Sequence, residues 1–443
     1  MKGADRHSLG RVWTLAWPII LSNVTTPLLG MVDTAVVGHL PGPEHIGGVA
    51  IGAVTFTSVF WLFGFLRMGT SGFAAQANGA GDADETAAVL GRAILLAMAL
   101  GLLMLALQTP IWWAARDLFD ASPAVQRLAG EYFAIRVWTA PATLMNYALL
   151  GWFIGLQRSR LALVVQLWLN STNIILDLVF VVGLEMGVPG VAWATLVGEW
   201  SAAILGLLIA RRILLRRGAA VDLGRILALD QLGRFFRANA DIMVRTACLI
   251  FSFAFFTREA AQFGDLVLAA NAILLQMVHM TAYGLDGFAF AAEALVGTAL
   301  GRRSREALRN AVVASTVWAA LVAVAIALVY LAAGDAVIAL MTDQMDVRAK
   351  AAEFIPWVAL YPLIAIWCFQ LDGIFIGATQ TADMRNAMLI SLAVYMAAAL
   401  TLPDIWGNHG LWAALTVLNL ARSASLAFLY PRVERRASVS PAA

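Results

Sequence analysis

Charge is what this sequence has least of. Only 13% of its 443 residues are Asp, Glu, Lys or Arg, about half the quarter typical of soluble domains. That excludes a soluble globular fold as the main architecture. The net charge is +2, and the basic residues sit at the ends of apolar runs and form no single face. A nucleic-acid partner is thereby excluded. There are two cysteines, Cys248 and Cys368, both inside apolar runs, so neither a disulfide framework nor a Cys-rich metal site is expected. The five histidines (His7, His39, His45, His279, His409) make no pair at metal-ligand spacing. No cofactor motif is present, and no His-Glu-x-x-His pattern marks an intramembrane enzyme.

What is abundant is apolar: 61% of the chain is hydrophobic. A helix crossing a bilayer core needs about 17–25 such residues. Twelve runs qualify: 12–38, 46–74, 87–109, 128–155, 161–184, 189–210, 238–258, 267–298, 308–333, 351–378, 386–403 and 409–430. The first follows Arg6 and Arg11 but is too long for a signal-peptide core of roughly 7–15 residues, so it reads as a membrane helix. The longest polar break, 211–237, separates six spans from six. The expected organisation is a six-helix lobe over 1–210, a cytoplasmic linker over 211–237, and a second lobe with a short basic tail over 238–443. Loops on the side of the N-terminus hold most of the arginines, Arg158, Arg160, Arg302, Arg303, Arg385 and Arg432 among them. By the positive-inside rule both termini are cytoplasmic.

The halves resemble each other at a nearly constant offset. Gly79 matches Gly301, Gly151-Trp-Phe-Ile-Gly155 matches Gly373-Ile-Phe-Ile-Gly377, and Gly190-Val-Ala-Trp-Ala matches Gly410-Leu-Trp-Ala-Ala. With six spans each, the repeats enter the membrane from the same side, an arrangement used by transporters that bind substrate between lobes. The repeat is not symmetric in its acids. Asp33 corresponds to Phe255, and Asp177 falls opposite the apolar stretch 397–400.

Ionisable side chains within spans are costly and by default functional. Asp33 lies in the first span, with Pro18 about four turns earlier, where a proline permits a kink. Asp177 and Asn173 are four apart and share a helix face, with Asn170 one turn before. Thr195 offers a hydroxyl, and Glu199 lies a turn further on. The expectation is that Asp33 and Asp177, with Asn173 and Thr195, form one buried site for H⁺ or Na⁺. In the second half Asp286 and Glu293 lie seven apart on one face, and Asp372 is mid-span. They are expected either as ion-pathway groups or as structural partners of Arg245 or Arg67. Trp112, Trp113, Trp357 and Trp406 read as interfacial belt residues.

These residues carry a family resemblance. Pro18 with Met31-Val-Asp-Thr-Ala-Val-Val-Gly-His39, Phe63-Gly-Phe-Leu-Arg-Met-Gly-Thr70, Asn173-Ile-Ile-Leu-Asp177 with Gly190-Val-Ala-Trp-Ala-Thr195, and Leu268-Ala-Ala-Asn271 followed by Leu285-Asp-Gly-Phe-Ala-Phe-Ala-Ala-Glu293 together resemble the multidrug and toxic compound extrusion (MATE) family, DinF-like branch. The resemblance spans essentially the whole chain. It implies an all-α, V-shaped protein of twelve helices in two lobes related by a pseudo-twofold axis, monomeric, in the bacterial inner membrane. It implies export of cationic or amphipathic organic compounds in exchange for H⁺ or Na⁺, with no other cofactor. It implies that Asp33, Asn173, Asp177 and Thr195 bind the coupling ion, that Asn146 joins them, and that the first helix bends at Pro18. The seventh span lacks the glutamate used by another branch, and Asp372 is a candidate remnant. The alternative is a lipid-intermediate flippase of the wider superfamily, which needs a cationic cleft. Arg67, Arg136, Arg245 and Arg422 are the arginines available to line one.

Overall fold

The computed structural model describes residues 6–119 and 121–437. Every regular element among them is helical. In chain order they are α1 (Arg6–Val37), α2 (Pro43–Leu62), α3 (Phe65–Ala80), α4 (Ala83–Ala106), α5 (Gln108–Phe119), α6 (Pro123–Arg136), α7 (Ala140–Gly155), α8 (Ser159–Asp177), α9 (Val188–Arg216), α10 (Leu223–Ile226), α11 (Leu229–Ala261), α12 (Asp265–Gly301), α13 (Arg305–Met341), α14 (Met345–Ala352), α15 (Ile355–Gly377), α16 (Thr381–Trp406) and α17 (Asn408–Arg436). Among the described residues, eleven helical stretches are long and apolar enough to cross a membrane. The remaining span is the pair α6 and α7, split by a 3₁₀ turn at Val137–Thr139.

Two breaks depart from the expected continuous spans, and each has a local cause. Pro141 lacks an N–H, so the Val137 carbonyl cannot receive its α-helical bond and takes the Ala140 N–H instead. The run 46–74 breaks at Phe63–Gly64, where the Gly64 N–H reaches back only to the Trp61 carbonyl. At the equivalent place in the second half, α12 runs on without interruption.

The chain divides into two compact units. One is Leu21–Phe236; the other takes α1 up to Ile20 together with the chain from Arg237 onward. The border therefore falls within α1, just beyond Pro18, and the helix itself continues through that proline. The α1 segment is built into the second unit. Trp318 Nε1 donates to the Leu9 carbonyl at 3.1 Å, Trp13 packs on Trp318 with ring centres 5.0 Å apart, and Gly287 leaves room for the Ala16 backbone.

The segment expected as a cytoplasmic linker is held to the first unit by hydrogen bonds and an ion pair. Arg92, 1% exposed, pairs with Glu85 at 2.7 Å. It also donates to the carbonyls of Arg225 at 2.7 Å and Ile226 at 3.3 Å. Arg217 Nη1 donates to Asn78 at 3.0 Å, and the Ala220 N–H donates to Asp84 at 2.8 Å.

The repeat is written into the backbone. Positive φ occurs at Gly42 and Gly264, at Gly81 and Arg303, and at Gln157 and Thr379, each pair 222 residues apart. Gly187 and Gly407 continue the series at 220. Asp82 caps α4 and Ser304 caps α13 at the same offset. In the first unit Gly151 and Gly155 of α7 lie against the carbonyls of Arg67 and Ser71 of α3. In the second, Gly373 and Gly377 of α15 lie against those of Ala289 and Glu293 of α12. Both crossings are the close backbone approach that small residues allow between membrane helices.

Candidate functional site

In the Leu21–Phe236 unit, the local backbone decides where the acids end up. Asp177 is the last residue of α8, and the chain then widens into a π-helical turn, Leu178–Gly183. Such turns often mark functional positions. Gly187, at φ 62°, reverses the chain, and Pro189 starts α9. Thr195 and Glu199, one turn apart on α9, then face α8 and α7 respectively.

Asn173, Asp177 and Thr195 are all buried, at 0%, 0% and 4% exposure. With the Asn173 amide oriented to satisfy both sides, its nitrogen donates to Asp177 Oδ2 at 2.8 Å. Its oxygen accepts from the Thr195 hydroxyl at 2.9 Å and the Thr195 N–H at 3.2 Å. Thr195 thus fixes which end of the amide faces the acid. Asp33, from the last turns of α1, stands within electrostatic reach of Asp177. Two carboxyl groups so placed, away from water, do not both ionise cheaply.

A second pair lies on the neighbouring turn. Asn146 Nδ2 donates to the Glu199 carboxylate at 2.7 Å and to its carbonyl at 3.0 Å. Asn170 accepts from Gln166 at 3.0 Å, and its own amide nitrogen is buried without a partner.

Arg136 is the functional candidate that sequence reasoning placed only among scattered arginines. It closes α6, donates to the Tyr132 hydroxyl at 2.6 Å and lies 5.4 Å from the Phe56 ring centre. It stands within electrostatic reach of Asp33, Asp177 and Glu199. The available signal was its position inside an apolar run, the same one that singled out the aspartates.

The Asn173 oxygen and the Thr195 hydroxyl are bonded to each other, and Arg136 supplies a permanent cation beside the acids.

The expected second-half residues do not form one comparable site. Asp372 is ion-paired with Arg245 and, at 2.6 Å, with Arg422. Glu293 is fully buried against α15, and Asp286 is half-buried on the same helix. Asn271 and Asn408 exchange amide bonds at 2.7 and 3.0 Å, and Trp412 adds a third at 3.0 Å. Among the belt tryptophans, Trp113 and Trp406 are more than half exposed. Trp357 instead bonds His409 at 3.0 Å, and Trp112 packs on Phe133. The string Gly79-Ala-Gly-Asp82 matches the Gly-x-Gly-Asp pattern of intramembrane aspartyl chemistry, but Asp82 is there the cap of α4, accepting from the Glu85 N–H at 2.8 Å.

Twelve spans, a doubled six-span unit and an acid pair within the spans of one unit define a polytopic helical membrane transporter. The model of the MatE family matches the chain twice, at residues 18–179 and 242–400, once per repeat. The chain is 41% identical over 421 residues to the DNA damage-inducible protein F of Escherichia coli (strain K12), covering 95% of this chain and 92% of that one. It is 27% identical to a probable multidrug resistance protein NorM of Deinococcus radiodurans, covering 91% and 90%. A crystal structure of a MATE in the bent conformation superposes with a TM-score of 0.87 at 19% identity over 96% of this chain and 95% of that one, a likeness of fold. The chain belongs to the MatE family, DinF-like branch, which comprises transporters and not enzymes.

Proposed function

We propose that the chain is a proton-coupled antiporter of the bacterial inner membrane, both termini cytoplasmic, that exports amphipathic organic compounds as a monomer by alternating access. The observation that carries this reading is the placement of Asp33 within electrostatic reach of Asp177, with Asn173 aimed at the second acid by Thr195. One proton held between the two carboxyls leaves one negative charge for Arg136 to balance. A second proton neutralises the pair and loosens α1 from α8. Pro18, where the helix lacks one backbone bond, is the place for α1 to bend in response. Discharge to the opposite side restores the pair as new substrate binds. The printed name of the Deinococcus relative, a probable multidrug resistance protein, supports efflux of small organic molecules.

The test is transport in proteoliposomes driven by a pH gradient alone or by a Na⁺ gradient alone. The pH gradient is expected to drive wild-type efflux, and Asp33→Asn or Asp177→Asn to lower it by at least about tenfold, the equivalent of ~1.4 kcal/mol. Efflux driven equally well by Na⁺ alone, or undiminished in both variants, would overturn the reading.

A further inference from the structure

The second unit contains its own buried charge cluster, and the coupling-ion site does not use it. Arg245 of α11 and Arg422 of α17 converge on Asp372 of α15, and all three are buried, at 8%, 5% and 7% exposure. Both guanidiniums end on one atom, Asp372 Oδ2. Neither therefore has the two-pronged carboxylate pairing that suits a guanidinium. Arg245 Nε is buried without an acceptor. Around Arg422 the neighbours are neutral: Asn419 Oδ1 at 3.4 Å, itself shared with the Cys368 thiol at 3.4 Å. The cluster thus holds two permanent cations against one carboxylate, and removing one partner of a buried charge group is strongly unfavourable.

The repeat shows that packing does not require this cluster. At the corresponding positions of the first unit stand Asn23, Leu150 and Ala202. The same fold is built there without an ion pair. Conversely, Phe255 and Ala399 stand where the first unit has Asp33 and Asp177. Each unit carries charge of one predominant sign where its repeat mate has little or none.

We propose that Arg245 and Arg422 form a binding subsite for the carboxylate, sulfonate or phosphate group of an amphipathic organic molecule, with Asp372 as the resident carboxylate that yields one arginine to it. The exchange swaps one anion for another on a guanidinium. It gives each arginine an anion of its own, which supplies the affinity. The near-closed exposures mean that Asp372 must move for the ligand to enter. The inference deepens the exporter reading by specifying that its substrates carry an anionic group, alone or beside a cationic centre.

The experiment is equilibrium binding to the purified full-length protein in dodecylmaltoside, without any gradient, so that failure of coupling and failure of this subsite are read separately. The probes are dansylglycine and its methyl ester, followed by fluorescence anisotropy against protein-free micelles. The acid is expected to bind at least tenfold more tightly than the ester and to raise the unfolding temperature where the ester does not. Arg245→Gln and Arg422→Gln are expected to bring the acid-to-ester ratio near one, and Asp372→Asn to hold or raise it. A ratio near one in the wild type, or a tenfold ratio surviving both arginine substitutions, overturns the proposal. Should the arginine variants not fold, the wild-type ratio together with the stabilisation by acid alone decides it. Displacement of dansylglycine by phosphatidylglycerol but not phosphatidylcholine assigns the subsite to a lipid headgroup phosphate. Displacement by neither assigns it to soluble organic acids. Both results support the anion site.

Discussion

The Asn146 side chain donates to the Glu199 carboxylate at 2.7 Å between α7 and α9. Its repeat mate Cys368, 222 residues on, donates to Asn419, the mate of Glu199, at 3.4 Å. One interhelical contact is thus kept in both units with its chemistry changed from amide–carboxylate to thiol–amide. Asn146→Ala removes the side-chain amide that donates to Glu199 and leaves a buried acid short of a donor, a loss of about 1–3 kcal/mol. Cys368→Ala, which removes a weak thiol donor, is expected to cost less. Thermal unfolding of the two variants in detergent ranks them.

Asn173 and Thr195 act in series on Asp177. Thr195→Val removes the hydroxyl that holds the amide oxygen but leaves the Thr195 N–H position as a second hold, so pH-driven efflux is expected to fall only a few-fold. Asn173→Ala removes the donor to Asp177 itself, with an expected loss of at least about tenfold, or ~1.4 kcal/mol. Initial rates in proteoliposomes at matched protein incorporation give the order. Equal rates for the two variants would contradict it.

The paired glycines give a matched stability test. A Cβ on Gly151 would stand within 3.0 Å of the Arg67 carbonyl oxygen, and one on Gly373 within 3.0 Å of the Ala289 oxygen, both backbone atoms held in helices. Each Gly→Ala change is expected to cost about 1–3 kcal/mol as overpacking. At Gly233 nothing lies within 4 Å, and alanine there should be stabilising by roughly 0.4–1 kcal/mol. The readout is again the unfolding temperature.

Arg92 clamps the segment between the units. Arg92→Gln leaves the Arg225 and Ile226 carbonyls without their buried donor. Trypsin cleavage between residues 211 and 237 is expected to accelerate several-fold while the purified protein stays monodisperse. Cleavage at the wild-type rate would show that the segment is held by its apolar contacts alone, Ile226 on Gly91 chief among them.

Much of this architecture is legible in the residues because the repeat doubles the evidence. The glycine pairs of α7 and α15 share an offset, and the structure gives them the same crossing. Asp33, Asn173, Asp177 and Thr195 are legible because polar groups cost so much in apolar runs; the structure joins the last three by hydrogen bonds and sets Asp33 within electrostatic reach of Asp177. Three features are not legible. The π-helical turn after Asp177 adds a residue to a turn without disturbing the apolar pattern. The 3₁₀ break at Val137–Thr139 leaves the hydropathy of its span intact, although Pro141 supplies its cause. Arg136 and Arg422 look alike in a span. Only folding shows that one stands beside three acids and the other shares a single carboxylate with Arg245.

The seam inside α1 also has a consequence for how the protein is made. The residues up to Ile20 leave the ribosome before the rest of their unit, and their partners Gly287, Phe288 and Trp318 are encoded far downstream. At about 5–20 residues per second, the opening half-helix spends on the order of 15–60 s in the bilayer before roughly 300 further residues are synthesised and its neighbours exist. The second unit is therefore discontinuous in the gene. A chain cut between residues 236 and 237 would separate that unit from its own first helix, and the two pieces would regain it only by finding each other.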